Sequence, residues 1–411
     1  MKRPTLPNTS LIVLLAIGFL TALGLSLVFP VLPFIVARSA GDSSQVALWV
    51  GALTSVYAGC ALFAGPILGT LSDRVGRKPI LVVCLAGSAV GWIIFGVGGS
   101  ILALLLARVV DGVTAGEQSV VFAAMADITT PAERAKRFGL MGAVSGMAFL
   151  IGPALGGLLA GIDVAAPAFA AAGASALTAV LALVVLPESL PADRRRTDTK
   201  FDLNPFGALR ETARQPGLAR RMVVFALIVS TLTVVSSNFA VLSFDVLAWS
   251  PVQIGWLLTG VGVVDIIVQG GLLGIFVRLA GERGVIIGGL IGLAASFAMF
   301  VAIAAVAPSP VLMVVAGLLF ATAEGSTTAT LQATLSEAVA EDEQGGLAGG
   351  LSAIGSAAGL ALPLLTGLLY AQVAPAAPYL FSLGAIIVAL ALTVRLTDRP
   401  ATLSRQAAAA E

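Results

Sequence analysis

Apolar stretches long enough to cross a lipid bilayer follow one another along most of this 411-residue chain. A helix needs about 20 apolar residues to cross about 30 Å of hydrocarbon. The pattern therefore predicts an all-α integral membrane protein with twelve transmembrane helices. Their approximate bounds are 10–37, 47–71, 79–99, 101–126, 137–161, 166–187, 221–244, 251–277, 284–306, 310–335, 345–371 and 377–396.

The composition agrees with a chain whose solvent is largely lipid. Hydrophobic residues make up 58% and charged residues 11% of the chain, and the mean hydropathy is +1.02. A soluble protein carries about 25% charged residues. The first apolar run follows two cations, as in a signal peptide, but it continues past Pro30 and Pro33 without a small-residue cleavage site. It is therefore predicted to be retained as the first span.

The distribution of cationic residues predicts the orientation of the chain. All of the 23 Lys and Arg residues except Arg38 and Arg108 fall on one side if both termini are cytoplasmic. Such a bias is the positive-inside pattern of membrane proteins. Both termini are accordingly predicted to be cytoplasmic. The net charge of +1 argues against a nucleic-acid partner.

The chain divides into two similar halves. Residues 1–187 and 221–400 are predicted to form two six-helix bundles, joined by a cytoplasmic linker at 188–220 and followed by a cytoplasmic tail at 401–411. Chance similarity between Gly- and Ala-rich helices is the alternative, but the matched segments occupy the same place in each half, as in many secondary transporters. Those segments are Gly69–Lys78 with Gly274–Arg283, and Gly152–Gly157 with Leu362–Gly367.

The residue content gives little support for an enzyme. The chain contains no histidine, and its two cysteines lie inside apolar stretches. It therefore lacks the commonest metal ligand and the commonest general base, and no nucleotide-binding loop is present. We predict no enzymatic activity, no metal site and no cofactor apart from the proton as a coupling ion. Any proton handling falls to carboxylates.

Four motifs resemble those of the major facilitator superfamily, and within it the twelve-span drug:proton antiporter group, including tetracycline and multidrug exporters. The first two are the first-helix pattern Gly24–Pro33 and the loop Gly69–Lys78, called the gate loop below. The others are the span-four segment Arg108–Gly116 and the span-five motif around Gly152 and Pro153. Tetracycline exporters carry acids where this chain has Thr21 and Gly91, whereas Asp111 and Glu117 are extra acids here.

The resemblance implies that the gate loop forms a latch. Asp73 would accept hydrogen bonds from the N-terminus of another helix, and Arg77 would pair with Asp127 at the end of span four. A topological role, in which cations hold the loop in place, is the alternative, especially for Arg74. The candidate gate residues are Gly69, Asp73, Arg74, Gly76, Arg77 and Asp127.

Charged residues inside the spans are candidates for proton coupling. A charge at the depth of Arg108 needs a partner in the bundle interior. Asp111, three residues on, lies on the same helix face and predicts an ion pair. The family implies that Arg108 senses carboxylate protonation; a static packing pair is the alternative. Glu117 would be rotated about 120° from Asp111 on a straight helix. It therefore faces the cavity from another angle or bonds a neighbouring helix.

Two further acids lie in the second half without a cation nearby in sequence. Asp265 is in span eight and Glu324 in span ten. Burial favours the neutral form of a carboxyl group, which suits a proton carrier. The alternative is a protonated acid that bonds a neighbouring helix. Both residues join Arg108, Asp111 and Glu117 as candidate proton-coupling residues.

The antiporter motif of span five is predicted to comprise Gly146, Gly152, Pro153, Gly156 and Gly157. Small residues allow helices to approach closely, and proline bends a helix. The resemblance implies that this region restricts proton leak between the halves. Packing alone is the alternative.

These features favour proton-coupled efflux of amphipathic drugs or similar small molecules by alternating access. Export or flipping of an endogenous metabolite or a lipid-linked compound is the alternative. The expected setting is a bacterial cytoplasmic (inner) membrane, crossed many times by the chain. The expected partners are a small amphipathic substrate and the lipid bilayer, and the resemblance implies a monomer.

Overall fold

The computed structural model describes residues 8–195, 218–340 and 343–394. Both termini, the predicted tail 401–411 and most of the predicted linker 188–220 lie outside these described residues. The described part of the chain is helical, with no β-strand.

The first part of the chain contains eight α-helices and three short 3-10 turns. The turns are Ser43–Gln45, Pro131–Glu133 and Ala192–Arg194. The helices are α1 (Asn8–Val28), α2 (Leu32–Ala40), α3 (Val46–Val75), α4 (Arg77–Val97), α5 (Ile101–Val113), α6 (Glu117–Asp127), α7 (Arg134–Ala160) and α8 (Ala166–Val184).

The second part contains six α-helices and one π-helical turn, Val268–Leu272, which joins α10 to α11. The helices are α9 (Leu218–Asp245), α10 (Pro251–Ile267), α11 (Leu273–Ala305), α12 (Pro310–Glu337), α13 (Gln344–Gln372) and α14 (Ala377–Val394).

The chain forms two compact units. The first unit comprises Met1–Leu203 and the short segment Trp249–Thr259. The second comprises Asn204–Ala248 and Gly260–Glu411. The first residues of α10 thus belong with the first unit, whereas the predicted boundary placed all of α10 in the second half. The predicted bounds 1–187, 188–220 and 221–400 stay predictions.

Ten helical stretches in the described residues are long and apolar enough to cross a membrane. The predicted span 101–126 is not among them, because it is divided into α5 and α6, each too short to span alone. The predicted spans 251–277 and 284–306 form one helical stretch, Pro251–Ala305. The structure therefore shows a multi-span helical protein, and the count of twelve stays a prediction.

Large apolar side chains are exposed on the outside of both units. Leu102, Val184, Leu279 and Val306 are each more than 70% exposed. Large apolar side chains exposed in such numbers are expected where lipid is the solvent.

The repeated segments share a backbone feature. Gly76 separates α3 from α4 with φ +122°, and Gly281, its counterpart 205 residues later, interrupts α11 with φ +69°. Side chains with a Cβ rarely adopt this conformation. Pro153 and Pro363 likewise lie inside corresponding helices, α7 and α13. These features favour an internal repeat over chance similarity.

Each unit has its own core. In the first, α1 packs against α7 and α8, and α4 packs against α5 and α8. Leu14, Ile17, Leu81 and Met125 are fully buried there. In the second, α11 packs against α12 and α14, around a cluster of aromatic rings. These rings are Phe239, Phe297, Phe300, Phe320 and Tyr379.

Candidate functional site

The predicted fourth span is interrupted between α5 and α6. The Thr114 hydroxyl donates to the Val110 carbonyl at 2.9 Å, and the Gly116 N–H donates to the Thr114 carbonyl at 2.8 Å. Thr114 packs onto Gly87 of α4, where a Cβ would collide with the threonine side chain. Glu117 is therefore the first residue of α6. Discontinuous helices of this kind form substrate sites in several transporter folds.

A cavity of about 210 Å³ lies within the first unit beside this interruption. Asp111 of α5 and Glu117 of α6 both line it. Sequence reasoning treated 101–126 as one straight helix, on which these side chains would lie about 120° apart. Because the helix is interrupted, both carboxylates border one cavity. The remaining wall is mostly apolar and aromatic, and includes Thr21, Tyr57, Trp92, Phe122, Met141 and Phe149.

Arg108 and Asp111 form a buried ion pair. Arg108 Nη1 lies 3.4 Å from Asp111 Oδ2, and the side chains are 8% and 6% exposed. The guanidinium carbon lies 4.3 Å from the Trp92 ring centre, 4.4 Å from Phe95 and 5.7 Å from Tyr57. Arg108 itself does not line the cavity. The aromatic rings thus stabilise the Arg108 cation, and two of them, Tyr57 and Trp92, line the cavity themselves.

Glu117 lacks a comparable partner. Its Oε2 is buried and has no hydrogen-bond partner among the described residues. The first turn of a helix stabilises a negative side chain, but a buried carboxylate without a cation still carries a large desolvation cost. Of the two cavity acids, Asp111 is paired with a cation and Glu117 is not.

The two positions at which the chain departs from the tetracycline exporters lie close to these acids. Thr21 lines the same cavity, and its hydroxyl is buried without a partner in the described structure. Gly91 packs directly on Asp111, where a Cβ would be 2.9 Å from Asp111 Cβ. A larger residue at position 91 would therefore displace Asp111.

In the gate loop, Arg77 forms ion pairs with two acids. Its guanidinium contacts Asp73 Oδ1 at 2.5 Å and Asp127 Oδ2 at 3.1 Å, and donates to the Ser72 hydroxyl at 2.6 Å. The structure thus brings Asp73, Arg77 and Asp127 together. Asp73 pairs with Arg77, and the hydrogen bonds predicted for it from a helix N-terminus stay a prediction. Arg74 lies half-buried in the last turn of α3.

Glu188 lies at the N-terminus of α4. Its carboxylate accepts hydrogen bonds from the backbone N–H groups of Arg77 at 2.9 Å and Lys78 at 3.3 Å, in the first turn of α4. A Cβ at Gly76 would collide with this carboxylate. Gly76 is thus required both by its positive φ and by the approach of Glu188, whereas Gly69 faces open space. Sequence reasoning missed Glu188, since it lies 111 residues from its partner.

The five residues of the antiporter motif do not share one environment. A Cβ at Gly152 would collide with the Ser26 hydroxyl, and one at Gly156 with the Leu27 carbonyl, both on α1. Gly157 faces the backbone at Pro251, at the start of α10. Gly146 has no atom near the place of a Cβ. Among the motif glycines, close packing thus begins at Gly152, six residues after Gly146.

Pro153 also contacts the start of α10. A Cβ at Gly255 would collide with the Pro153 carbonyl oxygen. This is why the segment Trp249–Thr259 groups with the first unit. The motif is a site of helix packing, and its effect on proton leak stays a prediction.

The acids of the second unit lie in a separate polar cluster. The Gln269 amide donates to Asp265 Oδ1 at 2.7 Å, and the Thr328 hydroxyl donates to Glu324 Oε1 at 2.9 Å. The Asp265 carboxylate lies over Gly325, where a Cβ would collide with it. Gln269 belongs to the π-helical turn Val268–Leu272, a distortion often found at functional sites. The Asp265 carboxylate on α10 thus lies beside Gly325, the residue that follows Glu324 on α12.

The sequence matches the model of the Major Facilitator Superfamily over residues 14–247 and 223–411. The chain belongs to this superfamily of membrane transporters. The match covers both units and agrees with the many apolar helices of the structure.

Several relatives are named as tetracycline or multidrug resistance proteins. The chain is 34% identical over 388 residues to the class G tetracycline resistance protein of Vibrio anguillarum, which covers 94% of this chain and 97% of the relative. It is 32% identical over 365 residues to the class C protein of Escherichia coli, covering 89% and 90%. Multidrug resistance protein 2 of Bacillus subtilis (strain 168) is 29% identical over 283 residues, covering 68% and 69%.

Solved structures share the fold at lower identity. The nucleoside transporter NupG aligns with a TM-score of 0.69 and 14% identity, over 94% of this chain and 100% of that one. A bacterial homologue of the human lysosomal transporter Spinster aligns with a TM-score of 0.69 and 17% identity, over 96% of each chain. At this identity the likeness concerns the fold alone.

Proposed function

We propose that this protein is a proton-coupled antiporter that expels amphipathic drugs or similar small molecules. It would cross a bacterial inner membrane twelve times, with both termini in the cytoplasm. The substrate would pass unchanged, by alternating access between two six-helix bundles. The tetracycline and multidrug resistance relatives support drug efflux as the direction and purpose of transport.

The observation that carries this proposal is the cavity of the first unit. It has a largely apolar and aromatic wall, as small-molecule sites generally do, and it contains two carboxylates, Asp111 and Glu117. Buried ionisable groups within membrane-spanning segments are expensive and typically mark a substrate or proton pathway. An apolar cavity with such groups suits an amphipathic molecule.

Proton coupling would use the acids of both units. Asp265 and Glu324 each have one neutral hydrogen-bond partner and no cation in the cluster as described. A carboxyl group in this setting can be neutral when loaded and can release its proton to the cytoplasm. In the first unit, Arg108 would respond to the charge on Asp111, to which it is paired.

Transport in proteoliposomes with an imposed pH gradient tests the proposal. Tetracycline, a cationic dye and a neutral lipophilic compound would be followed with the wild type, Glu324→Gln and Asp265→Asn. We expect gradient-driven movement of at least one drug by the wild type. Loss of at least tenfold in that movement is expected in at least one of the two variants, because each removes a carboxyl group that can carry a proton.

Glu133→Gln serves as the matched control, since it removes an exposed carboxylate that pairs with Arg137 and accepts a hydrogen bond from Thr130 at the protein surface. It should transport as the wild type does. Drug movement that ignores the gradient and both variants would refute proton coupling. No movement of any drug by a folded wild-type protein would instead point to an endogenous metabolite or a lipid-linked compound.

A further inference from the structure

We propose that α6 links the cavity of the first unit to the gate loop, and that it turns about a hinge at Thr114–Gly116. This short helix carries a cavity acid, Glu117, at its first residue, and Asp127, the partner of Arg77, at its last. The inference rests on the proposed efflux for the purpose of the movement. It adds the element through which the cavity acts on the gate loop.

The helix before the hinge, α5, is held tightly by two neighbours. Against α4, a Cβ at Gly91 would lie 2.9 Å from Asp111 Cβ. Against α3, a Cβ at Gly112 would lie 2.6 Å from Cys60 Cβ and 2.9 Å from the Tyr57 carbonyl oxygen. Interiors packed this closely leave little room for small shifts. We therefore treat α5 as the fixed part of the interrupted segment.

The helix after the hinge, α6, packs in a different way. Gly65 of α3 faces Ser119 of α6, and a Cβ at Gly65 would lie at an ordinary van der Waals distance of 3.9 Å from the Ser119 hydroxyl oxygen. Helices that meet through side chains rather than backbone accommodate small sliding movements. We therefore treat α6 as the part that moves. Its buried side chains are those of Val120, Val121, Ala124 and Met125.

The hydrogen bonds at the interruption fit a hinge. In a continuous helix the Val110 carbonyl would accept the backbone N–H of Thr114. Here it accepts the Thr114 hydroxyl at 2.9 Å, while the Thr114 N–H donates to the Gly112 carbonyl. The threonine side chain thus replaces a backbone hydrogen bond at the end of α5, where carbonyl groups lack helical partners. It does so without fixing the direction of α6.

The far end of α6 contacts the gate loop and the segment after α8. Asp127 Oδ2 lies 3.1 Å from Arg77 Nε and accepts a hydrogen bond from the Ser189 hydroxyl at 3.3 Å. These two interactions are called the gate contacts below. The 11 residues of α6 form a helix only about 15 Å long, which moves as one body. A shift at Glu117 therefore reaches the gate contacts.

The charge on Glu117 sets the direction of the effect. Its Oε2 is buried and has no hydrogen-bond partner among the described residues. An ionised carboxylate in such a place is costly, which favours positions of α6 in which the group gains water or a partner. A neutral side chain removes this cost and favours the arrangement described here, with the gate contacts formed. A neutral residue at position 117 should therefore keep these contacts closed.

The reactivity of a cysteine beneath the gate contacts measures this link. Ser72 is fully buried, and its hydroxyl accepts a hydrogen bond from Arg77 at 2.6 Å. Ser72→Cys, in a background with both native cysteines replaced, would be labelled with a maleimide in the full-length protein in lipid nanodiscs. Glu117→Gln should slow labelling by about fivefold or more, as is typical of coupling between two sites. Asp127→Asn should speed labelling, because Arg77 loses a partner.

Three further variants separate the link from general effects. Glu117→Asp retains the charge and should label at close to the wild-type rate. So should Thr21→Val, which changes the wall of the same cavity from α1. Thr114→Val keeps the shape that packs onto Gly87 but removes the hydroxyl, so that the Val110 carbonyl favours a continuous helix. In the Thr114→Val background, Glu117→Gln should change the labelling rate by less than about twofold.

An unchanged labelling rate in folded Glu117→Gln would overturn the inference, and so would equal slowing by Thr21→Val. An equal response with and without Thr114→Val would overturn the hinge. Labelling needs no transport, so its result is separate from the proposed function. Drug transport by a protein whose gate contacts ignore Glu117 would refute the link and leave efflux intact. Gate contacts that respond to Glu117, in a protein that moves no drug, would support the link and refute the proposed efflux.

Discussion

Glu188 shows how a single side chain can fix the start of a helix. It accepts two backbone hydrogen bonds in the first turn of α4, where N–H groups lack partners within the helix. The negative charge also interacts favourably with the helix dipole. Arg77, in the same turn, binds Asp73 and Asp127. The backbone and the side chain of Arg77 are thus held by different acids.

We therefore expect Glu188→Ala to lower the free energy of unfolding by about 1–2 kcal/mol, the usual cost of losing a helix cap. Denaturant titration of the purified protein in detergent measures this change. Glu133→Ala is the control, because it removes a surface ion pair with Arg137, worth about 0.5 kcal/mol or less, and a long hydrogen bond from Thr130 at 3.4 Å. Equal effects of the two substitutions would show that Glu188 contributes nothing beyond a surface charge.

The pairings at the residue scale were predictable only in part. Arg108 and Asp111 are three residues apart, so helical periodicity is enough to propose their contact. The pairing of Arg77 with Asp127 was proposed from a family motif. The contact of Glu188 with α4 spans 111 residues and has no local signal. The two aromatic rings beside Arg108 did have a local sequence signal: Trp92 and Phe95 are three residues apart, which places them on the same face of α4.

At the scale of elements, α1 and α7 approach closely at two glycines. Gly152 and Gly156 face the Ser26 hydroxyl and the Leu27 carbonyl. A glycine-rich sequence predicts close packing in general, but it does not tell which glycines are in contact. Gly146 belongs to the same predicted motif and faces open space. Whether a glycine of the motif is in close contact depends on where α1 passes, and the motif itself does not specify this.

Alanine substitutions should separate these glycines. Gly156→Ala places a Cβ against a backbone carbonyl that cannot move aside easily, so we expect a loss of about 1–3 kcal/mol of unfolding free energy. It should also reduce drug efflux from cells that express the protein. Gly146→Ala should not destabilise the protein, because the site is open and alanine is a better helix former than glycine. Thermal or denaturant unfolding in detergent, with an efflux assay, compares the pair. Similar losses in both variants would contradict the packing described.

The interruption of the predicted fourth span was not foreseen from the sequence. The residues 101–126 are apolar throughout much of their length, which predicts one continuous helix. The contact between Thr114 and Gly87 on another helix accompanies the break. This break brings Asp111 and Glu117 to one cavity. The sequence therefore indicated the acids but not their common site.

At the scale of the whole molecule, the predicted membrane topology rests on the positions of the cations and the lengths of the apolar segments together. The sequence predicted an apolar helical protein of this family, and the fold confirms a multi-span helical architecture. The number of spans depends on two places where the ends of the helices do not coincide with the predicted ends of the membrane crossings. One is the interrupted segment α5–α6, and the other is the continuous stretch Pro251–Ala305, which contains a break at Gly281.

Twelve spans require the chain to cross the membrane within 101–127 and to reach the cytoplasmic side near Gly281. Arg278 and Arg283 flank that glycine, and cations favour the cytoplasmic side. The interrupted segment of α5 and α6 has 27 residues from end to end, enough to cross about 30 Å of hydrocarbon. The segment α5–α6 is therefore long enough for the predicted fourth crossing, and the cations around Gly281 favour the cytoplasmic side at that point.

Single cysteines introduced on either side of these segments test the prediction, in a background with both native cysteines replaced. We expect Ser100→Cys and Ala307→Cys to react with a membrane-impermeant maleimide in intact cells. Ala132→Cys and Glu282→Cys should react only after the membrane is permeabilised, because they lie near clustered cations. All four positions are exposed, so accessibility depends on the side of the membrane rather than on burial.

Labelling of Ser100→Cys and Ala132→Cys from the same side would refute the fourth crossing. Labelling of Glu282→Cys from outside would place Gly281 within the periplasmic half and reduce the span count.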